Sequence, residues 1–497
     1  MRSKMFFCFS WLLTILLTAT LLPALAQNES EKGLPFITNY TVKMYGGNAV
    51  NWAIIEDNNG MMYFGQNKIK SNVLEYDGVK WIPIPCPPSS AVIRSFNKDK
   101  NGVIYYGGLG DFGYLDKDSI GETYEHSLLQ YVPPEKRNFS DVWTTHITDK
   151  GIYFQSRDRL FRLTESGSGN NTTWLLKTWE PATHFMYTFY RDGFFYVHQQ
   201  GRGLYKMEND SLVLITGSEF LGEDRMQVML SFTDNTTQKN DTLSKEYLIG
   251  TFTHGMYVFD GKNFKPFKTE ADSLIRNYML YKGISINGNY VLSLLGYGLV
   301  IINPQGKIVQ MINQVNSTLP SNIIYSIYQD SKGSVWLALD NGISKLELNS
   351  PFTFFNAQNG ISATPLSLAR FSNGSLYVGT NNALLQFNQS ASKFQENSLI
   401  PKDQVFALLK DGNTLLVTSN GLYMIKEGKV ILVQPSVSNN LKISALAISK
   451  KYPNILFAGS AFGIALFIRD PSTIKGWKYL GYVPNFKGEF FYNCRRR

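Results

Sequence analysis

Cysteine and histidine are scarce in this chain of 497 residues, which contains three cysteines and five histidines. Cys8 lies within an apolar N-terminal segment, so only Cys86 and Cys494 remain for the folded part. Two cysteines cannot form a disulfide framework or a cysteine metal cluster, and no two histidines have the i, i+4 spacing of a helical metal site. The sequence therefore predicts no metal site and no cofactor.

Sequence motifs of common enzymes are also absent, because no GxSxG, HExxH or P-loop occurs. Gly108, Gly110 and Gly113 match a dinucleotide-binding fingerprint, but the residues that follow, YLDKDSIG, lack the apolar period of the helix that such a site requires. These glycines are therefore predicted to form a turn.

Carboxylates do not form a recognisable catalytic pair either. Glycosidases need two carboxylates at a defined separation, one of them with a raised pKa. Residues such as Glu56, Asp57, Asp99 and Asp330 instead recur at equivalent turns of a repeat, where solvated caps are expected. The chain is predicted not to be an enzyme.

Basic residues outnumber acidic ones, with a formal net charge of +9. Arg2, Lys4 and the terminal Arg495, Arg496 and Arg497 account for more than half of this excess, so the charge is concentrated at the termini. Such a distribution does not form the basic patch that binds nucleic acid, so no nucleic acid is predicted as a partner.

Residues 1–26 have the pattern of a secretory signal peptide. A basic start precedes a long apolar stretch, and Ala24-Leu25-Ala26 fits the small-x-small cleavage site. The alternative is an uncleaved membrane anchor, since the apolar stretch is nearly long enough to span a bilayer. The expected location is the periplasm, reached through the inner membrane.

A repeat of about 44 residues dominates the rest of the chain, with ten units that start between positions 51 and 443. Its plainest copy, IIYSIYQDSKGSVWLALDNGISKLEL at 323–348, alternates apolar runs with Gly-containing turns. This period and pattern are typical of a β-propeller blade with four short strands. Helical periodicity is lacking, so an all-β fold is predicted.

A second pattern divides the repeats. LPFITNYT at 34–41 and SPFTFFNA at 350–357 are similar Pro-Phe strand starts. We expect residues 36–45 to complete the seventh blade and Pro351 to open a second propeller. The predicted domains are a seven-bladed propeller at 34–350 and a partial second propeller of about three blades at 351–497. Because propellers close with roughly four to eight blades, the chain is expected to be a truncated product or a fragment.

The unit YQDSKGSVWLALDNGISKLEL resembles the two-component regulator propeller repeat. That repeat is typical of periplasmic sensors in Bacteroidetes, including hybrid two-component systems. GLPFITNYTVKMYGGNAVNWAIIEDNNGMMYFG and GGLGDFGYL resemble the start of such sensors, and the likeness covers roughly residues 33–490.

In that family, two seven-bladed propellers precede a three-tyrosine domain, a membrane helix and a histidine kinase or DNA-binding output domain. The resemblance implies that this chain is a ligand-sensing ectodomain of a sensor or transcriptional regulator without its output domains. Membrane attachment would then come only from an uncleaved signal or a missing C-terminal helix. The type of output domain and the oligomeric state, including a homodimer, stay open.

Loops that open on one face of a propeller, around its axis, are the common place for ligands. In this sequence, that face is predicted to carry the following ten candidate ligand-binding residues: Trp52, Gln66, Lys68, Arg94, Asp111, Trp143, Arg157, Gln199, Arg202 and His254. The alternative is that the tryptophans are core residues and that the arginines and glutamines are merely solvated.

As a set, these side chains suit stacking on sugar rings and hydrogen bonding to hydroxyl or acidic groups. The predicted partner is a small molecule, and an oligosaccharide fits best. The alternatives are a propeller that binds another protein and a propeller glycosidase or lyase.

Overall fold

The computed structural model describes residues 33–69, 71–87, 90–167, 173–232, 246–371, 374–388, 393–435 and 442–484. Within these ranges the strands form ten four-stranded antiparallel sheets, which confirms the all-β propeller fold. Two compact units are present. Leu34–Thr353 contains seven sheets, and the described residues from Phe354 onward contain three. The predicted signal peptide at 1–26 lies outside the described residues.

The sheets of the first unit form in chain order, and the first strand of each sheet lies at one edge of that sheet. Their strands are β1 (Ile37–Tyr40); β2 (Asn51–Glu56), β3 (Met62–Gln66), β4 (Val73–Tyr76) and β5 (Trp81–Pro83); β6 (Ile93–Lys98), β7 (Ile104–Gly108), β8 (Phe112–Lys117) and β9 (Thr123–Ser127); β10 (Thr144–Thr148), β11 (Gly151–Gln155), β12 (Leu160–Ser166) and β13 (Thr173–Trp179); β14 (Phe185–Arg191), β15 (Phe194–Gln199), β16 (Gly203–Glu208) and β17 (Ser211–Leu214); β18 (Met226–Ser231), β19 (Tyr247–Thr251), β20 (Met256–Phe259) and β21 (Phe264–Phe267); β22 (Leu280–Ile286), β23 (Asn289–Leu294), β24 (Gly298–Ile302) and β25 (Ile308–Ile312); and β26 (Ile324–Gln329), β27 (Val335–Leu339) and β28 (Ile343–Leu346).

The second unit repeats this arrangement in three sheets, whose first strands contact one another in succession. Its strands are β29 (Pro365–Arg370), β30 (Leu376–Thr380), β31 (Leu384–Asn388) and β32 (Lys393–Glu396); β33 (Leu408–Asp411), β34 (Thr414–Thr418), β35 (Gly421–Lys426) and β36 (Lys429–Pro435); and β37 (Ile443–Ile448), β38 (Ile455–Ser460), β39 (Gly463–Arg469) and β40 (Trp477–Tyr482).

Helices are few and short in the described part of the chain. They are α1 (Val42–Tyr45), α2 (Asp272–Tyr278) and four 3-10 turns at Leu129–Tyr131, Pro134–Lys136, Glu219–Glu223 and Ala357–Asn359. None of the helices in the described ranges has the length and apolar character needed to cross a bilayer.

The seven sheets of the first unit form a ring. The first strand of each sheet contacts the first strand of the next, and β26 contacts β2. The seventh sheet takes its outermost strand from the start of the chain, because β1 pairs with β28 from Ile37↔Leu346 to Tyr40↔Ile343. This strand lies within residues 36–45, which the sequence predicts to complete the seventh blade, but it ends at Tyr40 and Val42–Tyr45 forms α1 instead. Strands from both ends of the unit thus share one sheet.

The Asp-x-x-Gly turn at Asp330 shows what the aspartate and the glycine do in each repeat. The Oδ1 atom of Asp330 accepts hydrogen bonds from the backbone N–H groups of Lys332 (3.0 Å) and Ser334 (2.8 Å). Gly333 has a φ of +88°, which favours glycine. The Oδ2 atom of Asp330 accepts from the indole Nε1 of Trp336 at 2.8 Å, so one carboxylate fixes both the turn and the strand that follows.

Two of the expected solvated caps are buried, and for them the sequence prediction is wrong. Asp330 is 8% exposed because the indole of Trp336 covers it. Glu56 is 5% exposed, and its oxygens accept from the backbone N–H and the hydroxyl of Ser331, each at 2.7 Å. Glu56 therefore joins the first sheet to the seventh.

Of the three glycines of the apparent dinucleotide fingerprint, which are predicted to form a turn, only Gly110 lies in a turn, whereas Gly108 and Gly113 lie in strands. Gly108 ends β7, and β8 already begins at Phe112. A Cβ atom on Gly108 would lie 2.3 Å from the carbonyl oxygen of Val92, and one on Gly113 would lie 1.9 Å from that of His126. Close packing between strands therefore requires Gly108 and Gly113.

Candidate functional site

A β-bulge recurs at the start of the first strand of a sheet, which is the innermost strand of the ring. The bulge orients side chains at one end of the ring. The register shifts between the first and third residues of the strand in six of the seven sheets of the first unit. Bulges re-aim a side chain relative to the regular pleat. The bulged residues are Trp52, Arg94, Met186, Gln227, Tyr281 and Tyr325. We call this end of the ring the mouth.

Side chains at the mouth form a continuous stack, which we call the mouth ladder: Tyr325, Trp52, Arg94, Trp143 and Arg157. The rings of Trp52 and Tyr325 stack with centroids 4.0 Å apart. The Cζ atom of Arg94 lies 3.8 Å from the Trp52 centroid and 5.0 Å from that of Trp143. The Cζ atom of Arg157 lies 5.4 Å from the Trp143 centroid. Residues associated with the seventh, first, second and third sheets thus build one surface.

The faces of Trp52 are covered within this stack. Tyr325 and Arg94 both lie within 4.0 Å of the same ring centroid, so they must occupy opposite faces. A sugar ring therefore cannot stack on Trp52 without displacing one of them. The aromatic rings instead hold the guanidinium groups in place, since a planar guanidinium stacks well on an aromatic face.

Arg94 is anchored on one side only. Its Nε atom donates to Oδ1 of Asp141 at 2.6 Å, with the two side chains 15% and 19% exposed. Its Nη1 atom is buried and has no hydrogen-bond partner within the described ranges. A buried donor without a partner costs about 1–3 kcal/mol, so an acceptor that reached this atom after neighbouring side chains moved would stabilise it.

Arg157 lies in the loop between the second and third strands of its sheet. Its Nη1 atom contacts Sδ of Met186 at 2.9 Å. No carboxylate of the described residues forms an ion pair with it, and burial together with the neighbouring Arg225 lowers its pKa. This half-buried guanidinium therefore carries a charge that protein groups do not neutralise by direct contact.

Side chains from the fourth and sixth sheets also contact one another near the mouth. Tyr281 hydrogen-bonds Tyr187 from the sixth sheet to the fourth, and the Lys282 ammonium lies 4.9 Å from the ring centroid of Tyr187. Burial raises the pKa of Tyr281 far above its ordinary value, so its hydroxyl stays neutral. Tyr281 and Tyr187 therefore connect the sixth sheet with the fourth.

Four of the ten predicted residues meet in the mouth ladder, namely Trp52, Arg94, Trp143 and Arg157. Two others lie outside the ladder: Lys68 follows β3 of the first sheet, and Asp111 lies between β7 and β8 of the second sheet. The Nζ atom of Lys68 donates to the carbonyl of Pro87 at 3.0 Å. Asp111 is fully buried and accepts from the hydroxyl of Ser127 at 2.7 Å.

The structure does not bring the remaining four predicted residues into the ladder. Gln66 is 1% exposed, and its Oε1 atom accepts from the backbone N–H of Asn48 at 2.6 Å. Gln199 is buried, whereas Arg202 is exposed. His254 is exposed, and its Nδ1 atom lies 2.9 Å from Oδ2 of Asp224, beside a small groove that Lys268 and Arg276 also line.

Sequence reasoning missed several mouth residues, notably Met186, Gln227, Tyr281 and Tyr325. Gln227 is 4% exposed, and its Oε1 atom has no partner among the described groups. The signal that identifies these residues is their position, because each is the second residue of an innermost strand, as Trp52 and Arg94 are.

Chemically, the mouth offers guanidinium donors, phenols and an amide, and it lacks a recognisable catalytic pair in the described part of the chain. No group of three or more His, Cys, Asp or Glu side chains in the described ranges is arranged to hold a metal. The arrangement is suited to binding a ligand that carries hydrogen-bond acceptors and negative charge.

Comparison with known proteins supports the sequence resemblance. Residues 318–341 match the model of the family described as "Two component regulator propeller". This confirms the resemblance over the most regular repeat, which contains Asp330 and Trp336. A search of the curated proteins found no match.

Among solved structures, the fold is similar to an extracellular domain assigned to a hybrid two component system of B. thetaiotaomicron, with a TM-score of 0.64 and 16% identity. The alignment covers 91% of this chain and 61% of that one, so the chain spans about three fifths of that domain's length. A second such domain from B. thetaiotaomicron gives a TM-score of 0.46 at 16% identity, covering 87% and 58%. At this identity the likeness shows the fold alone.

Proposed function

We propose that Leu34–Thr353 is the ligand-binding part of a periplasmic sensor of the two-component type, and that its ligand is an acidic oligosaccharide bound at the mouth ladder. The observation that carries the proposal is the pair of guanidinium groups around Trp143. Arg94 is only partly satisfied by Asp141, and Arg157 has no carboxylate partner in the described ranges.

Physical chemistry favours an anionic ligand over a neutral one. The aromatic rings restrict both arginines before a ligand arrives, so less side-chain entropy is lost on binding. Hydrogen bonds from a guanidinium to a carboxylate or sulfate are about twice as strong as neutral ones. Because both faces of Trp52 are covered, the protein would recognise the ligand mainly through the ligand's charge and hydroxyl groups.

The sensory role draws on the family match and on the extracellular domains with a similar fold. In such a role, ligand binding at the mouth would favour one packing of the propeller, and output domains would respond to that change. A ligand shifts such an equilibrium only by its difference in affinity for the two states. The periplasmic location follows from the signal-peptide pattern at residues 1–26.

The proposal predicts selective binding. We expect the full chain to bind uronic-acid oligosaccharides in calorimetric titrations, and to bind their carboxyl-reduced, neutral counterparts much more weakly. Arg157→Gln should weaken binding roughly 10- to 100-fold, because a charged hydrogen bond contributes about 1.5–3 kcal/mol. Arg202→Gln, an exposed arginine outside the ladder, is the matched control and should change affinity less than twofold.

Other outcomes would point elsewhere. An equal loss of affinity in Arg202→Gln would place the site outside the ladder. Stoichiometric capture of one protein, without binding of any oligosaccharide, would favour a protein-interaction propeller. Cleavage of the oligosaccharide would favour a glycosidase or lyase.

A further inference from the structure

A small groove lies beside α2 on the fifth sheet of the first unit, and none of the mouth-ladder residues lines it. Its cavity has a volume of about 130 Å³. Three parts of the chain form its walls, namely the loop that leads into β20, the end of β21 and α2. We call it the α2 groove, and the side chains that determine its chemistry are His254, Tyr257, Phe267, Lys268, Asp272 and Arg276.

Two cationic side chains of the α2 groove are free of protein partners. Lys268 and Arg276 are exposed, and neither forms a hydrogen bond or an ion pair with a residue of the described ranges. The one carboxylate that lines the groove belongs to Asp272. Its Oδ1 atom accepts from the backbone N–H (3.1 Å) and the hydroxyl (2.7 Å) of Thr269, so this carboxylate holds the connection into α2. The groove therefore presents two positive charges that no carboxylate contacts directly.

The backbone that carries these two cations is firmly held. Ile275, the neighbour of Arg276, is fully buried in the core that the fifth and sixth sheets share. The N–H of Glu270 donates to the carbonyl of Gly306 at 2.9 Å, and a Cβ atom on Gly306 would lie 2.6 Å from the carbonyl oxygen of Lys268. Because this backbone is already ordered, a ligand in the groove has only the two side chains to immobilise.

His254 adds a hydrogen-bonding group of a different kind. Its Nδ1 atom lies 2.9 Å from Oδ2 of Asp224, and the same oxygen accepts from the backbone N–H of His254 at 3.0 Å. Because a carboxylate only accepts, Nδ1 is the donor, and Nε2 of the neutral ring is left as an acceptor. Tyr257 and Phe267 line the same groove with aromatic rings. A ring that bears hydroxyl groups fits both of these features.

We infer that the α2 groove is a binding site for a phosphorylated sugar, with the phosphate monoester at Lys268 and Arg276 and the sugar ring against Tyr257 and Phe267. A phosphate monoester carries a charge of about −1.5 to −2 at neutral pH and three strong acceptor oxygens. Ammonium and guanidinium groups are the usual donors to such oxygens. A neutral sugar would leave both cations without a partner, and a bare anion would leave the aromatic rings uncovered.

Calorimetric titration of the full chain with glucose 6-phosphate tests this site. We expect glucose 6-phosphate to bind, and glucose to give no measurable heat because it lacks the charged group. Inorganic phosphate should bind several-fold more weakly than glucose 6-phosphate, because it makes no contact with the aromatic rings.

Variants assign the binding to the α2 groove. Lys268→Gln and Arg276→Gln should each weaken glucose 6-phosphate binding about tenfold, because each removes a charge-assisted hydrogen bond. Lys265→Gln is the matched control, since this exposed lysine of β21 does not line the groove. Its affinity should change less than about twofold, as is usual for an exposed charge that makes no direct contact.

The outcome is distinguishable from that of the mouth-ladder proposal. Both groove variants should keep the wild-type affinity for the uronic-acid oligosaccharide, so either proposal can fail without the other. Absence of a glucose 6-phosphate heat in the wild type would overturn the inference, as would full affinity in both groove variants. Equal binding of inorganic phosphate would also overturn it, because the groove would then hold an adventitious ion only.

Discussion

Tyr40→Ala is expected to lower the free energy of unfolding of the first unit by about 3 kcal/mol, the usual cost of truncating a packed aromatic side chain. Tyr40 lies on β1, the strand that pairs with β28 and brings the start of the unit into the seventh sheet. Its ring stacks on Trp336 at 5.7 Å and meets the rings of Tyr76 (5.5 Å) and Trp81 (5.3 Å) edge-on. The substitution removes contacts with two sheets together.

Urea unfolding followed by tryptophan fluorescence measures this effect, and hydrogen exchange locates it. Exchange should accelerate first in β1, β2 and β28, where the ring closes. Tyr40→Phe is the control and should cost less than about 1 kcal/mol, since its hydroxyl makes only a 3.5 Å contact with the hydroxyl of Tyr76. Equal stability of Tyr40→Ala and wild type would show that β1 does not hold the ring together.

Glu125→Gln is expected to become progressively more stable than the wild type as the pH rises. Burial raises the pKa of Glu125 from 4.5 to about 8 in the folded chain. Between these values the folded state keeps a proton that the unfolded state releases, so the wild type loses stability as pH increases. The glutamine variant has no such proton, and the difference should grow by about 1.4 kcal/mol per pH unit through this window.

The measurement is a series of urea denaturation curves between pH 4.5 and pH 8 for both chains. The two chains should differ least at the acidic end, because a protonated glutamate and a glutamine are then equally neutral. Glu122→Gln should follow the wild-type curve throughout. A difference that is constant with pH would mean that Glu125 is charged in the folded protein, as an ordinary surface glutamate is.

The fold could be predicted from the sequence because the residues that define each blade lie close together in the chain. The Asp-x-x-Gly turn, the strand after it and the next turn lie within one short segment, so Asp330, Gly333 and Trp336 identify a blade without knowledge of its neighbours. The sequence also indicated that the start of the unit contributes a strand to the seventh sheet, since LPFITNYT and SPFTFFNA are similar strand starts. What the sequence did not show was that Glu56 and Asp330 are covered, because their covering groups come from a later strand or another blade.

The candidate site was only partly predictable for a related reason. Trp52 and Arg94 stood out by residue type, but Tyr281 and Tyr325 resemble ordinary strand aromatics until the bulge turns them toward the mouth. Gln66 follows a strand end as a binding residue would, yet its side chain bonds the backbone at Asn48. The burial of Glu125 was also not predictable, because its environment depends on Asn72 and Ser90, which precede the second sheet in the chain.

The most direct test of the binding proposal is a thermodynamic cycle. Wild type and Arg157→Gln are each titrated with a uronic-acid oligosaccharide and with its carboxyl-reduced counterpart. If the Arg157 guanidinium binds the carboxylate, the affinity lost with the arginine should depend on the ligand's charge, with a coupling of at least about 1.5 kcal/mol. A coupling near zero, with the acidic ligand still bound, would show that the acid is recognised elsewhere and would contradict the assignment of the mouth ladder as the site.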